Sequence, residues 1–222
     1  RMWAFEAQGV VPDIVTIGKP MGNGFPLAAV VTNRAIAESF GACGMEYFNT
    51  FGGGPVACRV GMAVLEAIGT DGLLQSVEEV GALLLRRLQE LSLSHSIIGD
   101  VRGHGLFMGV ELVRDRATKE PAAAEAEWVC EALRCRGVLV NSDGIYGNVF
   151  KIKPPLCISK EHIEHFCATL NDVLLALPSS PKALSAPQSE VPAALQRVRE
   201  VVQQHGVGAG PSWSDWESSG EG

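Results

Sequence analysis

Apolar positions in the first third of the chain come in short runs broken by glycine and proline. Ile14, Val15, Thr16 and Ile17 make a strand-length run. A turn containing Pro20, Gly22, Asn23, Gly24 and Pro26 follows, and residues 27–31 form a second apolar run. Ala35, Ile36 and Phe40 then recur at helical spacing behind Asn33, a residue suited to cap the helix. Pro55 can open a helix at its first turn. The segment it opens, PVACRVGMAVLEAI, is apolar nearly all round, which predicts a buried helix. Over 71–91, Leu74, Val77, Val80, Leu84, Leu88 and Leu91 line one stripe. Glu78, Glu79, Arg86, Arg87 and Glu90 form the solvated face opposite.

From Ser96 the pattern shortens to strands: IIGDVRG, GLFMGVELV, GVLVNS and VFKIKP. AAAEAEWVCEALRCRG reads as a helix ending at Gly137, and Ser159 opens a last helix, with His162 where a capping box would place Glu or Gln. Three or four strands and two helices make a small α+β domain. After Pro178 the composition changes to a Pro/Ser/Ala linker, a short helix-like LQRVREVVQQHG and a Gly/Ser/acid-rich tail expected to be disordered. The expected organisation is therefore 1–92, 93–178 and a 179–222 linker and tail.

A chain of 222 residues with 46% hydrophobic content can bury a real core in one or two domains. Its net charge of −7, with no basic stripe and no RNA-type aromatic motif, argues against nucleic acid as a partner. No apolar run is long enough for a membrane-spanning helix, which needs about 18 residues. The opening RMWAFEAQGV has neither signal- nor transit-peptide character. The six cysteines show no zinc-ligand spacing, and no metal site is expected. They read as small buried hydrophobes in a reducing compartment.

Four places carry candidate chemistry. Lys19 stands at the tip of a strand with glycines around it. Partial desolvation there would lower its pKa and let it attack an aldehyde as a Schiff-base lysine. The other reading is an exposed loop lysine capping a hairpin. Thr50, in FNTFGG before Pro55, offers a hydroxyl and open backbone amides to a phosphate, or serves as an ordinary turn or cap residue. Arg102, in DVRGHG, presents a planar fork for a carboxylate or phosphate, or pairs with Asp100 or another acid. Lys151 and Lys153 alternate along one strand, so they share a face: an aid to an anionic substrate, or a solvated edge. Tyr47, Phe48 and Phe51 around Thr50 read as interface and core packing.

The blocks GKPMGNGFP, FNTFGGGP, GDVRGHGLFMGVEL and KIKPPLCIS, in that order, resemble the C-terminal half of the class-III (omega-type) aminotransferases. The resemblance runs from about Trp3 to Leu177. Within the class, GMEYFNTFGG, LVNSDGIYGNVFKIKPPLCIS and PMGNG are most similar to the phospho-lyase branch, which acts on ethanolamine phosphate or 5-phosphohydroxy-lysine.

The resemblance implies an α/β fold: the C-terminal part of a fold-type I large domain, then a small α+β domain. It implies pyridoxal 5′-phosphate as cofactor and Lys19 as the catalytic, cofactor-binding lysine. Thr50 would touch the cofactor phosphate of a neighbouring subunit in a homodimer, and Arg102 would hold the substrate. The partner would be a small phosphorylated amine or amino acid. The alternatives are an omega-type transaminase of the alanine–glyoxylate kind, or an inactive truncated chain acting only as an interaction module. Mitochondrial or cytoplasmic placement is expected. Gly54 stands where the family often has Asn. The acid that keeps the cofactor ring protonated lies upstream of the lysine in the family and has no counterpart here. The chain therefore reads as a fragment, a truncated isoform or an incomplete gene product.

Overall fold

The computed structural model describes residues 1–178; the linker, short helix and tail expected over 179–222 lie outside the described residues. The chain divides into two units, Arg1–Leu83 with Pro154–Lys160, and Leu84–Lys153 with the described residues from Glu161 onward. The sequence places its boundary later, between 92 and 93.

In the first unit, β1 (Ile14–Ile17) pairs antiparallel with β2 (Ala29–Thr32), with Ile14 opposite Thr32 and Ile17 opposite Ala29. Their connection holds a single 3-10 turn, Lys19–Gly22. A Cβ on Gly61 would lie 2.6 Å from the Leu27 Cδ2 methyl, so glycine is what lets the helix around it approach this turn. Helix α1 (Arg34–Ala42) starts where expected, because the Asn33 side chain accepts the Ile36 amide at 3.0 Å. Helix α2 (Pro55–Thr70) opens at Pro55. It is not the buried helix its composition predicts: Gly61 is its one buried residue, while Val56 and Met62 are 66% and 54% exposed. An all-round apolar helix needs neighbours on every side, and the described residues supply them on one side only.

Helix α3 (Leu73–Ser94) carries the predicted stripe, with Val80, Leu84 and Leu88 buried. In the second unit β3 (Ile98–His104), β4 (Phe107–Asp115), β6 (Asn141–Asp143) and β7 (Val149–Ile152) form an antiparallel sheet in the order β3-β4-β7-β6. A two-residue strand that the sequence pattern does not show, β5 (Glu120–Pro121), pairs with β4. Helices α4 (Ala123–Cys135) and α5 (Lys160–Leu175), with a 3-10 helix at Ala4–Gln8 in the first unit, complete the elements of the described residues.

Strand alternation sends Met108, Val110, Leu112, Phe150 and Ile152 into the core. Val129, Leu133, Ile163, Leu170 and Val173 of the helices are buried with them. The opposite sheet face carries Asp100, Arg102, Glu111 and Lys151. Because β7 lies between β4 and β6, Lys151 is on an interior strand, which corrects the edge half of its solvated-edge reading, while its side chain stays 40% exposed. The cysteine reading is corrected as well: Cys43, Cys58 and Cys157 are exposed, and among the described residues only Cys167 is buried.

Candidate active site

Lys19 is the first residue of the 3-10 turn between β1 and β2. Gly18, extended, lets the chain leave β1, and Asn23 in the left-handed region closes the turn by donating its amide to Pro20 O at 3.1 Å. Lys19 is exposed, so the partial desolvation expected from the sequence is not provided by the described residues. The hairpin that the alternative reading required is present, with Lys19 in its connection. Among the described residues no hydrogen bond or ion pair engages its amine.

Thr50 lies in a tight turn. The Asn49 side chain accepts the Phe51 amide at 3.1 Å, and Gly52 donates to Asn49 O at 3.0 Å. Gly53 has a positive φ of 69°, which this turn requires of it. The turn runs directly into α2, whose first residue is Pro55 and whose N-terminus has no side-chain cap. Open amides at Val56 and Ala57 therefore stand beside the Thr50 hydroxyl in sequence. Tyr47, Phe48 and Phe51 are 72%, 80% and 89% exposed, which corrects the core-packing half of their expectation.

Arg102 is in the second unit, inside β3. It pairs with Asp100 at 2.6 Å and with Glu111 of β4 at 2.7 Å, the pairing its alternative reading named. The hydrogen bonds it donates to Asp100 and then to Glu111 raise its already high pKa, so the guanidinium is permanently charged. Gly103, at φ +149°, allows the close approach of β4: a Cβ there would sit 2.2 Å from Phe107 O. Lys151 pairs with Asp143, whose pKa that contact lowers below the usual aspartate range.

Lys19 and Thr50 thus belong to the first unit and Arg102 to the second. Two residues escaped the sequence reading: Gly109, opposite Arg102 on β4, and Asp143 beside Lys151. A glycine inside a strand pattern is the signal that could have found the first.

The residues present suit pyridoxal phosphate at two of its ends. An unpaired amine answers its aldehyde, and an uncapped helix N-terminus with a hydroxyl answers its phosphate. A family model, aminotransferase class-III, matches residues 1–174. The chain belongs to the class-III aminotransferase family. That family is dependent on pyridoxal phosphate.

Its class-III relatives divide between two chemistries. An Arabidopsis thaliana protein named alanine–glyoxylate aminotransferase 2 homolog 2, mitochondrial, is 50% identical over 72% of this chain and 33% of its own length. A Caenorhabditis elegans ethanolamine-phosphate phospho-lyase homolog is 44% identical over 78% of this chain and 38% of its own. Among solved class-III structures, an Arthrobacter phospholyase in complex with phosphoethanolamine superposes with a TM-score of 0.76 at 37% identity. That match covers 80% of this chain and 42% of the other. The chain thus spans well under half the length of these relatives.

Proposed function

We propose that the protein built around this chain is a pyridoxal-phosphate-dependent phospho-lyase, releasing phosphate and ammonia from a phosphorylated amine such as phosphoethanolamine. What carries the lyase reading is the structural likeness to the phospholyase crystallised with phosphoethanolamine, together with the sequence likeness to the phospho-lyase homolog. The cofactor, when bound, supplies an aldehyde for the substrate amine and a ring that accepts the electrons of a broken C–H bond.

Lys19 holds the cofactor through its amine and, once displaced by substrate, takes the proton from the carbon bearing nitrogen. Thr50 and the α2 amides hold the cofactor phosphate of a second copy in a homodimer, and Arg102 orients the substrate anion. The overall reaction consumes one water and yields an aldehyde, phosphate and ammonia. Mitochondrial or cytoplasmic placement is part of the proposal, and the mitochondrial half is supported by the name of the Arabidopsis aminotransferase homolog, which places that relative in mitochondria.

The Arabidopsis relative favours a second reading, transfer of the amine to a keto acid. Both need the same proton removed by Lys19, so that residue does not separate them. The test is to measure, on a full-length protein containing this chain, phosphate released from phosphoethanolamine and phosphohydroxylysine against keto-acid-dependent amine transfer. Phosphate release lost in Lys19→Ala is the expected result. No phosphate from either compound ends the lyase reading, and amine transfer alone establishes the other. The interaction-module reading is supported by the exposed aromatic residues around Thr50 and makes both activities absent.

A further inference from the structure

The outer face of the second unit's sheet carries one row that crosses four strands in register: Arg102 on β3, Gly109 on β4, Lys151 on β7 and Asn141 on β6. Residues opposite one another across strands point to the same face. Two cations therefore flank a position that has no side chain. The result is a depression of ≈ 410 Å³, lined by Arg102, Gly109, Asp143, Val149 and Lys151 among others. A Cβ on residue 109 would touch Val149 Cγ1 at 3.4 Å and Arg102 Cγ at 3.7 Å, so glycine keeps the floor open.

Neither cation is used up by its ion pairs. Both bonds from Arg102, to Asp100 and to Glu111, leave from Nη1. Its Nε and Nη2, the edge that grips an oxyanion with two parallel bonds, engage no protein group among the described residues. Lys151 gives one of its three N–H groups to Asp143. Asp100 and Glu111 hold Arg102 from the next rung and do not line the hollow, where Asp143 is the single acid against two cations.

We propose that this hollow is a phosphate subsite and that Lys151 is its specificity-determining residue. The Arg102 fork alone satisfies a carboxylate, a single charge with two oxygens. A phosphate carries a second charge and a third oxygen, and Lys151, across Gly109, is placed to meet them. The identity of the occupant as a substrate's phosphate rests on the phospho-lyase reading; the anion preference of the hollow does not.

The experiment follows the Gly109 amide and the Arg102 Nε–H by NMR in the 222-residue chain, without cofactor. Inorganic phosphate and acetate are titrated separately. Saturable shifts of both signals with phosphate are expected. Lys151→Gln is expected to weaken phosphate about tenfold, roughly 1.4 kcal/mol, and acetate by much less. Arg102→Lys is expected to weaken both. Lys151 is partly exposed, and unchanged signal dispersion verifies the fold of each variant.

No saturable shift at Gly109, shifts confined to the Thr50 turn, or equal losses for the two anions in Lys151→Gln overturn the proposal. Covalent capture of pyridoxal phosphate by Lys19, read by borohydride trapping and mass, is measured in parallel on a full-length protein containing this chain. Failure there with phosphate bound at Gly109 removes the enzyme reading and leaves the subsite. Capture without phosphate binding removes the subsite alone.

Discussion

Ionisable groups in the second unit are held by short local networks. Arg114 meets Glu125 with two bonds, at 2.8 and 3.2 Å, and reaches Glu120 at 2.9 Å. The Glu125 carboxylate is almost fully buried, so removing its partner leaves a charge without water or counter-ion. Arg114→Met should cost about 3 kcal/mol in chemical unfolding, and a second change, Glu125→Leu, should recover much of it. A single-mutant loss that the double mutant does not recover would contradict this account. Asp115 accepts the amides of Ala117 and Thr118 at 2.6 and 2.9 Å, and the Thr118 bond, then the Ala117 bond, holds its pKa below the usual range.

A carboxylate with a lowered folded pKa stabilises the protein above its unfolded value, about 3.9 for Asp. That stabilisation disappears as pH falls through the lower folded value. Acid unfolding of Asp115→Asn should therefore be less steep below about pH 4 than that of the native chain. The cysteines give a third check at this scale. Burial pushes the Cys167 thiol up to about 12, whereas Cys43, Cys58 and Cys157 are exposed. A thiol reagent at neutral pH should label those three first and Cys167 only on unfolding, as peptide mapping would show. Hydrophobic context pointed to burial of them all; it does not say whether the covering surface is present.

Helix ends and strand crossings show what can be read from neighbours in sequence. Asn33 was legible as a cap because its side chain needs only an amide three residues on, and Asn33→Ala should cost about 1 kcal/mol of α1 stability. The end of α3 was not legible. Arg116 donates to the carbonyls of Ser92, His95, Ser96 and Ile98, so a residue from beyond β4 satisfies the last turn of the helix. Arg116→Ala should lower the melting temperature, by about 1–2 kcal/mol in free energy, and raise hydrogen exchange at the α3–β3 junction. Unchanged exchange there would show that water replaces the clamp. Likewise, the sequence named Asp100 as a partner for Arg102 and left any second acid unidentified. Its carboxylate partners are two residues away on the same strand and across the β4 register, and only pairing of the strands brings the second one near.

The two units differ in how much they bury. Among the described residues the buried hydrophobic side chains other than Val80 all belong to the second unit, while Val11, Val30, Tyr47, Phe48, Phe51 and Val56 of the first are exposed. Hydrophobic burial is the main favourable term in folding, so a unit lacking it opens more readily. Amide exchange in the 222-residue chain should therefore be slow in β4 and α5 and faster by about two orders of magnitude or more in β1 and β2. Equal protection of the two hairpin strands and β4 would refute this.

Periodicity, caps and turn residues determined most elements by themselves: the β1–β2 hairpin, α1, α2, α3, the strands after Ser96 and the final helix. These are local choices, made by side chains within one or two turns of each other. The four ordered motifs also sufficed for the family, and so for Lys19, Thr50 and Arg102 as candidates. Tertiary structure alone decided that β7 is interior, that Gly109 separates two cations, and that α2 and the aromatic residues near Thr50 remain uncovered. Each of those depends on which strand or surface lies opposite, a long-range fact with no trace in neighbouring residues.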